Sequence, residues 1–392
     1  MTESKFIRLL FISILIIFSI QSCNSKNNDA WKSNTPIYYN ASVSDSISNS
    51  RENAITRAVS ECSPAIVSVN VTEVHKVAVR DPFDMFGNDP FFRQFFGYRQ
   101  RMQEYKVQAI GSGFLISPDG YILTNHHVAG NASKIVITTT DGKKYDAEII
   151  GADRTSDVAL LKINGNNFPY IKLANSDNVI IGEWAIAFGN PFGLFNINSK
   201  PTVTVGVISN KNINFVQEDR VYKGMIQTDA AISSGNSGGP LVNSLGDVIG
   251  INTVIFSTAQ SDAGAGSIGI GFAIPINRVK EVINILMKNK KINRNFDLGM
   301  ECRELNEDLA RYISSSIKDG VVVYSIKRGS PAEQAGIQPG DIVLEINGQP
   351  VKKIDDYAII VDDAMVGEKL NFTLLRDDKK INKTIDLKDS GQ

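Results

Sequence analysis

The chain has 392 residues, 42% of them apolar and 21% charged, enough material for two or three packed domains. A formal net charge of −1 gives no basic surplus for nucleic-acid binding, and three cysteines with three histidines, outside any HExxH or EF-hand pattern, exclude a zinc cluster. No nucleic acid, no metal and no cofactor is expected.

The first residues carry Lys5 and Arg8, then an apolar run from Leu9 to Ile20 interrupted by two serines, then Gln21-Ser22-Cys23. The run is short for a bilayer span and has the build of a secretory signal over residues 1–22. Ile20-Gln21-Ser22-Cys23 resembles the lipobox of bacterial lipoproteins, although Ile20 replaces the usual leucine and Gln21 is atypical there. That resemblance implies a lipid-modified Cys23 and attachment to a membrane, with ordinary cleavage or an uncleaved anchor as the alternatives. The Ser- and Asn-rich residues 23–54 then read as a flexible tether. Cys62 and Cys302, expected in different domains, read as two buried thiols rather than a disulfide.

From residue 55 to residue 276 the chain is dense in short β-type runs. Ile66, Val67, Val69, Val71 and Val74 alternate with polar residues, which predicts a strand. Asp81 to Gly87 and Pro90 to Gly97 concentrate aromatic residues without a clean period and read as an interaction loop. Val107 to Ile116, the Pro118-Asp119-Gly120 turn and Tyr121 to Thr124 predict a hairpin, and Ile135 to Thr140 with Tyr145 to Ile150 predict another. Further strands are expected over Trp184 to Phe188, Thr202 to Ser209, Gly224 to Thr228, Pro240 to Val242, Val248 to Ile255 and Ile268 to Ile274. Strands at this spacing argue for barrels. Gly264 to Gly269 fits GxGxxG, but it precedes a strand rather than a helix, so a dinucleotide site is excluded by context.

The segment from Ile226 to Leu241 reads IQTDAAISSGNSGGPL. Glycines flank Ser237 on both sides, so the backbone can turn tightly and aim N–H groups at one point, as a nucleophilic serine requires. A polar turn is the bland alternative for a lone Ser-Gly cluster. The same residues also match the G-x-S-x-G elbow of α/β-hydrolases, whose histidine follows the serine. Here His75, His126 and His127 all precede Ser237, which excludes that order. A subtilisin order would want the acid first and a helix-rich chain. The remaining order is histidine, acid, serine.

TNHHV at residues 124–128, DRTSDVALL at 153–161 and GNSGGPLVN at 235–243 together resemble the three catalytic segments of the HtrA/DegP family of serine endopeptidases. The likeness runs from about residue 55 to the end. It implies a mainly β fold: two six-stranded β-barrels of a chymotrypsin-like protease, followed by a small α+β PDZ domain. It implies His127 as base, with His126 in a variable place, Asp157 as the acid and Ser237 as nucleophile. The first two would come from one barrel and Ser237 from the other. The oxyanion site falls on Gly235, Asn236 and Ser237, with the N–H groups of Gly235 and Ser237 as donors. Ala231, followed by Ile232, stands where trypsin carries the acid that selects basic P1 side chains, so small or medium aliphatic P1 residues are expected. Asn236 stands where an acid pairs with a cleaved N-terminus in zymogens, which argues against activation by cleavage. Thr253, Val254 and Ile255 would pair with substrate as a strand. By the same resemblance the aromatic loop reaches another subunit of a homo-oligomer, trimeric or a multiple of it. Residues around 264–269 and from Asn210 to Lys223 would be activation loops.

Asn277 reads as the cap of an amphipathic helix in a linker over residues 277–295, with Val279, Val282, Ile283 and Leu286 on one face. In residues 296–390, SPAEQAGIQPGDIVLEINGQPV resembles a PDZ domain. Ser330, Pro331 and Glu333 form a helix start, and Asn347-Gly348 a hairpin turn. The resemblance places Leu298, Gly299 and Met300 at a terminal carboxylate, with peptide added beside Met300 to Arg303 against a helix near Ile354 to Ala364. The implied function is hydrolysis of unfolded or damaged envelope proteins in the periplasm. A PDZ-gated stress sensor cutting one substrate, and a holdase chaperone with secondary proteolysis, are the alternatives.

Overall fold

The computed structural model describes residues 50–79, 101–190, 200–217, 220–233, 235–255, 269–312 and 320–391. The expected leader, Cys23, most of the tether, the aromatic segment at 81–97 and Gly264 to Ile268 lie outside the described residues, as do the side chains of His75, Val254 and Ile255.

A capped helix α1 (Ala54–Cys62) leads into six strands: β1 (Ile66–Val79), β2 (Arg101–Leu115), β3 (Tyr121–Thr124), β4 (Lys134–Thr138), β5 (Lys144–Asp153) and β6 (Val158–Ile163). They close into a barrel in the order β1-β2-β3-β6-β5-β4. A second closed barrel has the order β10-β11-β12-β9-β8-β7, built from β7 (Trp184–Gly189), β8 (Thr202–Gln217), β9 (Arg220–Thr228), β10 (Pro240–Val242), β11 (Val248–Ile255) and β12 (Gly271–Pro275). Alternation along each strand sends one set of side chains inward. Phe114, Leu123, Leu160 and Ile137 are fully buried in the first barrel, and Ile186, Phe188, Ile208 and Ile251 in the second. Each such side chain contributes roughly 1.5–3 kcal/mol on leaving water.

Two local readings change. The stretch from Asn210 to Lys223 is not a loop off the barrel. Asn210 pairs with Gln227 and Gln217 with Arg220, so β8 and β9 continue outward as one long hairpin, with register shifts along it. The sequence missed this because Asn210, Asn212 and Asn214 suppress strand propensity locally, while ladder pairing overrides it. Asn277 does not cap its helix either. Pro275 holds the N-cap position of α3 (Ile276–Asn289), where α2 (His126–Ala129) is the short helix after β3. Asn277 instead accepts from the Ser176 N–H at 3.3 Å and donates to Asn175 at 2.5 Å, tying the helix to the segment that joins the two barrels.

The last sheet runs β13-β14-β15-β17-β18, from β13 (Met300–Glu304), β14 (Val321–Ile326), β15 (Ile342–Ile346), β17 (Lys369–Arg376) and β18 (Lys379–Asp386), with β16 (Gln349–Pro350) pairing with β15. Short helices α4 (Glu307–Tyr312), α5 (Pro331–Gln334) and α6 (Ile354–Val361) complete it. Ser330 caps α5 and accepts from the Glu333 N–H, as the sequence predicts. Residues from Asn53 onward form one unit, in which α6 packs on β8 and β9. Asp363, just past α6, takes a two-pronged ion pair from Arg278 at 2.6 and 2.9 Å. Burial would raise the Asp363 carboxyl, but the Arg278 hydrogen bond and charge, with Lys223 and Arg294, hold it below the ordinary range. Cys62 and Cys302 are both free thiols, the first buried and the second half-buried. Burial pushes Cys62 up to about 12 and Cys302 up to about 11, so both stay protonated.

Candidate active site

His127 and Asp157 meet at the seam between the barrels, and Thr253 links Asp157 to Ser237 there. His127 lies on α2, immediately after β3, and Asp157 ends the turn that joins β5 to β6. Asp157 is fully buried and holds a left-handed φ of 57°, a conformation stabilised by what surrounds it. Its carbonyl accepts from the His126 N–H at 3.1 Å and from the Asn125 amide at 3.0 Å. Its Oδ1 accepts the backbone N–H of His127 at 3.0 Å, and Oδ2 lies 2.8 Å from His127 Nδ1. With Oδ2 ionised, the bonding Nδ1 carries the proton, which leaves Nε2 as the basic atom.

Two hydroxyls of the second barrel also reach Asp157. The Thr253 hydroxyl donates to Oδ2 at 2.8 Å, and the Tyr222 hydroxyl reaches the same oxygen at 3.4 Å. Burial alone would raise the Asp157 carboxyl. The hydrogen bond and charge of His127, with the Thr253 hydroxyl, outweigh it and hold the group below the ordinary carboxylate range. Burial, then the Asp157 charge, push the Tyr222 phenol up, so it remains a neutral donor. His126 is buried. Burial lowers its basicity, and its Nδ1 has no hydrogen-bond partner among the described residues.

The serine turn is fixed by close backbone approach. Gly238 has φ +84°, and a Cβ there would fall 2.2 Å from the Ser112 carbonyl oxygen and 2.3 Å from Thr124 Oγ1. Around it the Ser112 N–H donates to the Ser237 carbonyl at 3.0 Å, the Gly238 N–H to the Asn252 carbonyl at 2.9 Å, and the Ser112 hydroxyl to the Gly235 carbonyl at 2.5 Å. The Ser237 hydroxyl donates to the Thr253 carbonyl at 3.1 Å. Thr253 thus touches both the acid and the nucleophile. Its side chain serves Asp157, while the backbone register of β11 with β12 shifts between Asn252 and Ile255, which leaves its edge irregular there.

The other site positions fall as follows. The Asn236 N–H donates to the Ser233 carbonyl at 2.9 Å, so it is engaged within the turn. Ala231 is exposed, and Ile232 is buried with its side chain against Gly271. Leu298 is buried and its carbonyl accepts from the Ala332 N–H at 3.1 Å, Gly299 has φ +67° with its N–H on Asp297 at 2.8 Å, and Met300 opens β13, the edge of its sheet. Sequence reasoning missed Tyr222, Arg220 and the hydroxyl of Thr253, whose positions depend on how the second barrel closes.

A trypsin-like peptidase domain matches residues 111–251 and a PDZ domain matches residues 322–376. Together with the double barrel, this defines a trypsin-like serine peptidase carrying a PDZ module. The chain is 37% identical over 342 residues to a probable periplasmic serine endoprotease, DegP-like, of Pseudomonas putida F1, covering 83% of this chain and 68% of that one. It is 42% identical over 305 residues to the protein of that description from Chlamydia trachomatis, covering 77% and 59%. Among solved structures, the HtrA-type protease AlgW with decapeptide superposes with a TM-score of 0.65 at 35% identity, covering 86% of this chain and 99% of that one. The chain belongs to the HtrA/DegP family of serine endopeptidases.

Proposed function

We propose that Ser237 is the nucleophile, His127 the general base and Asp157 its orienting acid in an exported endopeptidase that degrades unfolded or damaged proteins of the periplasm. The Asp157 to His127 contact at 2.8 Å carries the reading, with Thr253 joining the acid through its hydroxyl to the Ser237 hydroxyl through its carbonyl. The Ser237 hydroxyl turns from that carbonyl to His127 Nε2 and attacks a peptide carbonyl as the imidazole takes its proton. The developing oxyanion is held by the N–H groups of Gly235 and Ser237, each worth on the order of 3 kcal/mol. Asn236, engaged with Ser233, is left out of that role. His127 then protonates the leaving amine, and water attacks the acyl-enzyme by the same exchange in reverse.

Exposed Ala231 beside buried Ile232 suits a small aliphatic P1 side chain, because neither residue carries a charge to pair with Lys or Arg. Substrate adds as a strand along Thr253, Val254 and Ile255. A C-terminal peptide adds beside β13, with its carboxylate at Leu298, Gly299 and Met300. The names of the relatives support export to the periplasm. Lipid attachment at Cys23 and homo-oligomers based on trimers complete the proposal.

The test incubates a reduced, unfolded model protein with the chain and with S237A, and maps the new ends. Cleavage by the wild type alone, after small aliphatic residues, is expected. Cleavage that starts only when a C-terminal peptide is added would favour the gated sensor, and suppression of aggregation by both forms without cleavage would favour the holdase.

A further inference from the structure

Asp157 has a neighbour that its catalytic role does not require. The Arg220 guanidinium, 19% exposed, sits with Nε 3.7 Å from Asp157 Oδ1, the oxygen opposite the one that faces the His127 ring. Arg220 opens β9, where the hairpin turns back from Gln217. The hairpin is fastened at this spot to the turn that carries the acid. The Val221 N–H donates to the Thr155 carbonyl at 2.9 Å, and within the hairpin the Phe215 ring lies tilted against that of Tyr222 at 5.0 Å. A long, flexible side chain is thereby delivered to a buried carboxylate from the other barrel.

We infer that Arg220 is a positioning residue of the reaction: its guanidinium offsets part of the Asp157 charge that stabilises the His127 imidazolium, and so tempers the catalytic couple. The inference rests on the triad reading above. Two cations compete for one carboxylate. In the transition state His127 gains a proton, and its attraction to Asp157 is what lowers the barrel-seam barrier. A second cation on the same carboxylate divides that attraction, and inside the seam it is weakly screened. Among the described residues, the other charged or titratable groups facing this spot do not substitute for it. Tyr222 donates while neutral, buried His126 is biased to its neutral form, and Arg154 and Asp153, of opposite sign, both act on His126. Asp153 is itself engaged by Arg294 at 3.0 Å.

The experiment measures how fast a fluorophosphonate labels the serine of the full chain between pH 5 and 9, which reads the couple without needing the natural substrate. The serine oxygen forms a bond to phosphorus and fluoride leaves, assisted by His127. Neutral R220Q should label about fivefold faster on the plateau, with the acidic limb moved up by about half a pH unit. R220M should repeat this with a different shape, and R220K should follow the wild type. An acidic limb that stays in place in whichever neutral variant folds, or a plateau that falls without moving it, overturns the inference and gives Arg220 a purely structural role. S237A separates the two claims: if it is still labelled at the wild-type rate, the triad reading fails, and if it is unlabelled while the R220Q limb is unmoved, only the Arg220 inference fails.

Discussion

Asp157→Asn should lower kcat/KM on an unfolded protein substrate about 10⁴-fold while leaving the fold intact. The asparagine oxygen can keep the backbone bond from His127, at 3.0 Å in the native site. Its NH2 group would then face His127 Nδ1 and the Thr253 hydroxyl, two places where an acceptor is needed. An amide that donates to Nδ1 fixes the imidazole proton on Nε2, the atom that must accept from Ser237. The imidazolium also loses its counter-charge. Because the carboxylate is held below its ordinary range, Asp157 stays ionised as the pH falls from neutrality, and it protonates only below the usual carboxylate range. Activity lost between neutrality and mild acid is therefore not a titration of Asp157. Steady-state rates with thermal unfolding as a control decide the matter. A loss below tenfold in a folded variant would remove Asp157 from the mechanism.

Gly238→Ala is expected to be nearly as damaging by a different route. The backbone there holds φ +84°, and the added methyl would stand 2.2 Å from the Ser112 carbonyl and 2.3 Å from Thr124 Oγ1. Both neighbours are anchored, since Thr124 Oγ1 donates to that same carbonyl at 2.7 Å. The turn must shift, which costs about 1–3 kcal/mol for overpacking and a further 1–2 kcal/mol for the left-handed backbone. A displacement of about 1 Å at the nucleophile costs on the order of 10²-fold in rate. Gly348→Ala is the matched control, because φ is +75° there and nothing lies within 4 Å of the new carbon. It should lose about 1 kcal/mol of stability and keep its proteolytic rate. Equal damage from the two substitutions would mean that backbone strain alone, and not the approach to Ser112, accounts for the effect.

Much of this architecture is written locally. Alternation in Ile66 to Val71 and the turns at Pro118-Asp119-Gly120 and Asn347-Gly348 are short-range signals that define strands and hairpins. The glycines around Ser237 mark a tight turn for the same reason. The details that escaped the sequence depend on distant partners. Thr253 reads as a strand residue facing substrate, yet its hydroxyl reaches an acid 96 positions away. Tyr222 and Arg220 look like ordinary members of a polar segment until barrel closure sets them on Asp157. Asn277 has the residue type of a cap, but Asn175 and Ser176 compete for its amide and Pro275 takes the N-terminal position. Local propensity orders the elements, and long-range ladder pairing decides which side chains meet at the seam.

The central claim is that one serine, activated across the seam of the two barrels, does the chemistry. Mass spectrometry of the full chain after reaction with a fluorophosphonate tests it most directly. The account predicts one adduct, on the peptide containing Ser237, abolished when His127 is replaced by Ala. An adduct on another serine, or undiminished labelling of Ser237 without His127, would contradict it.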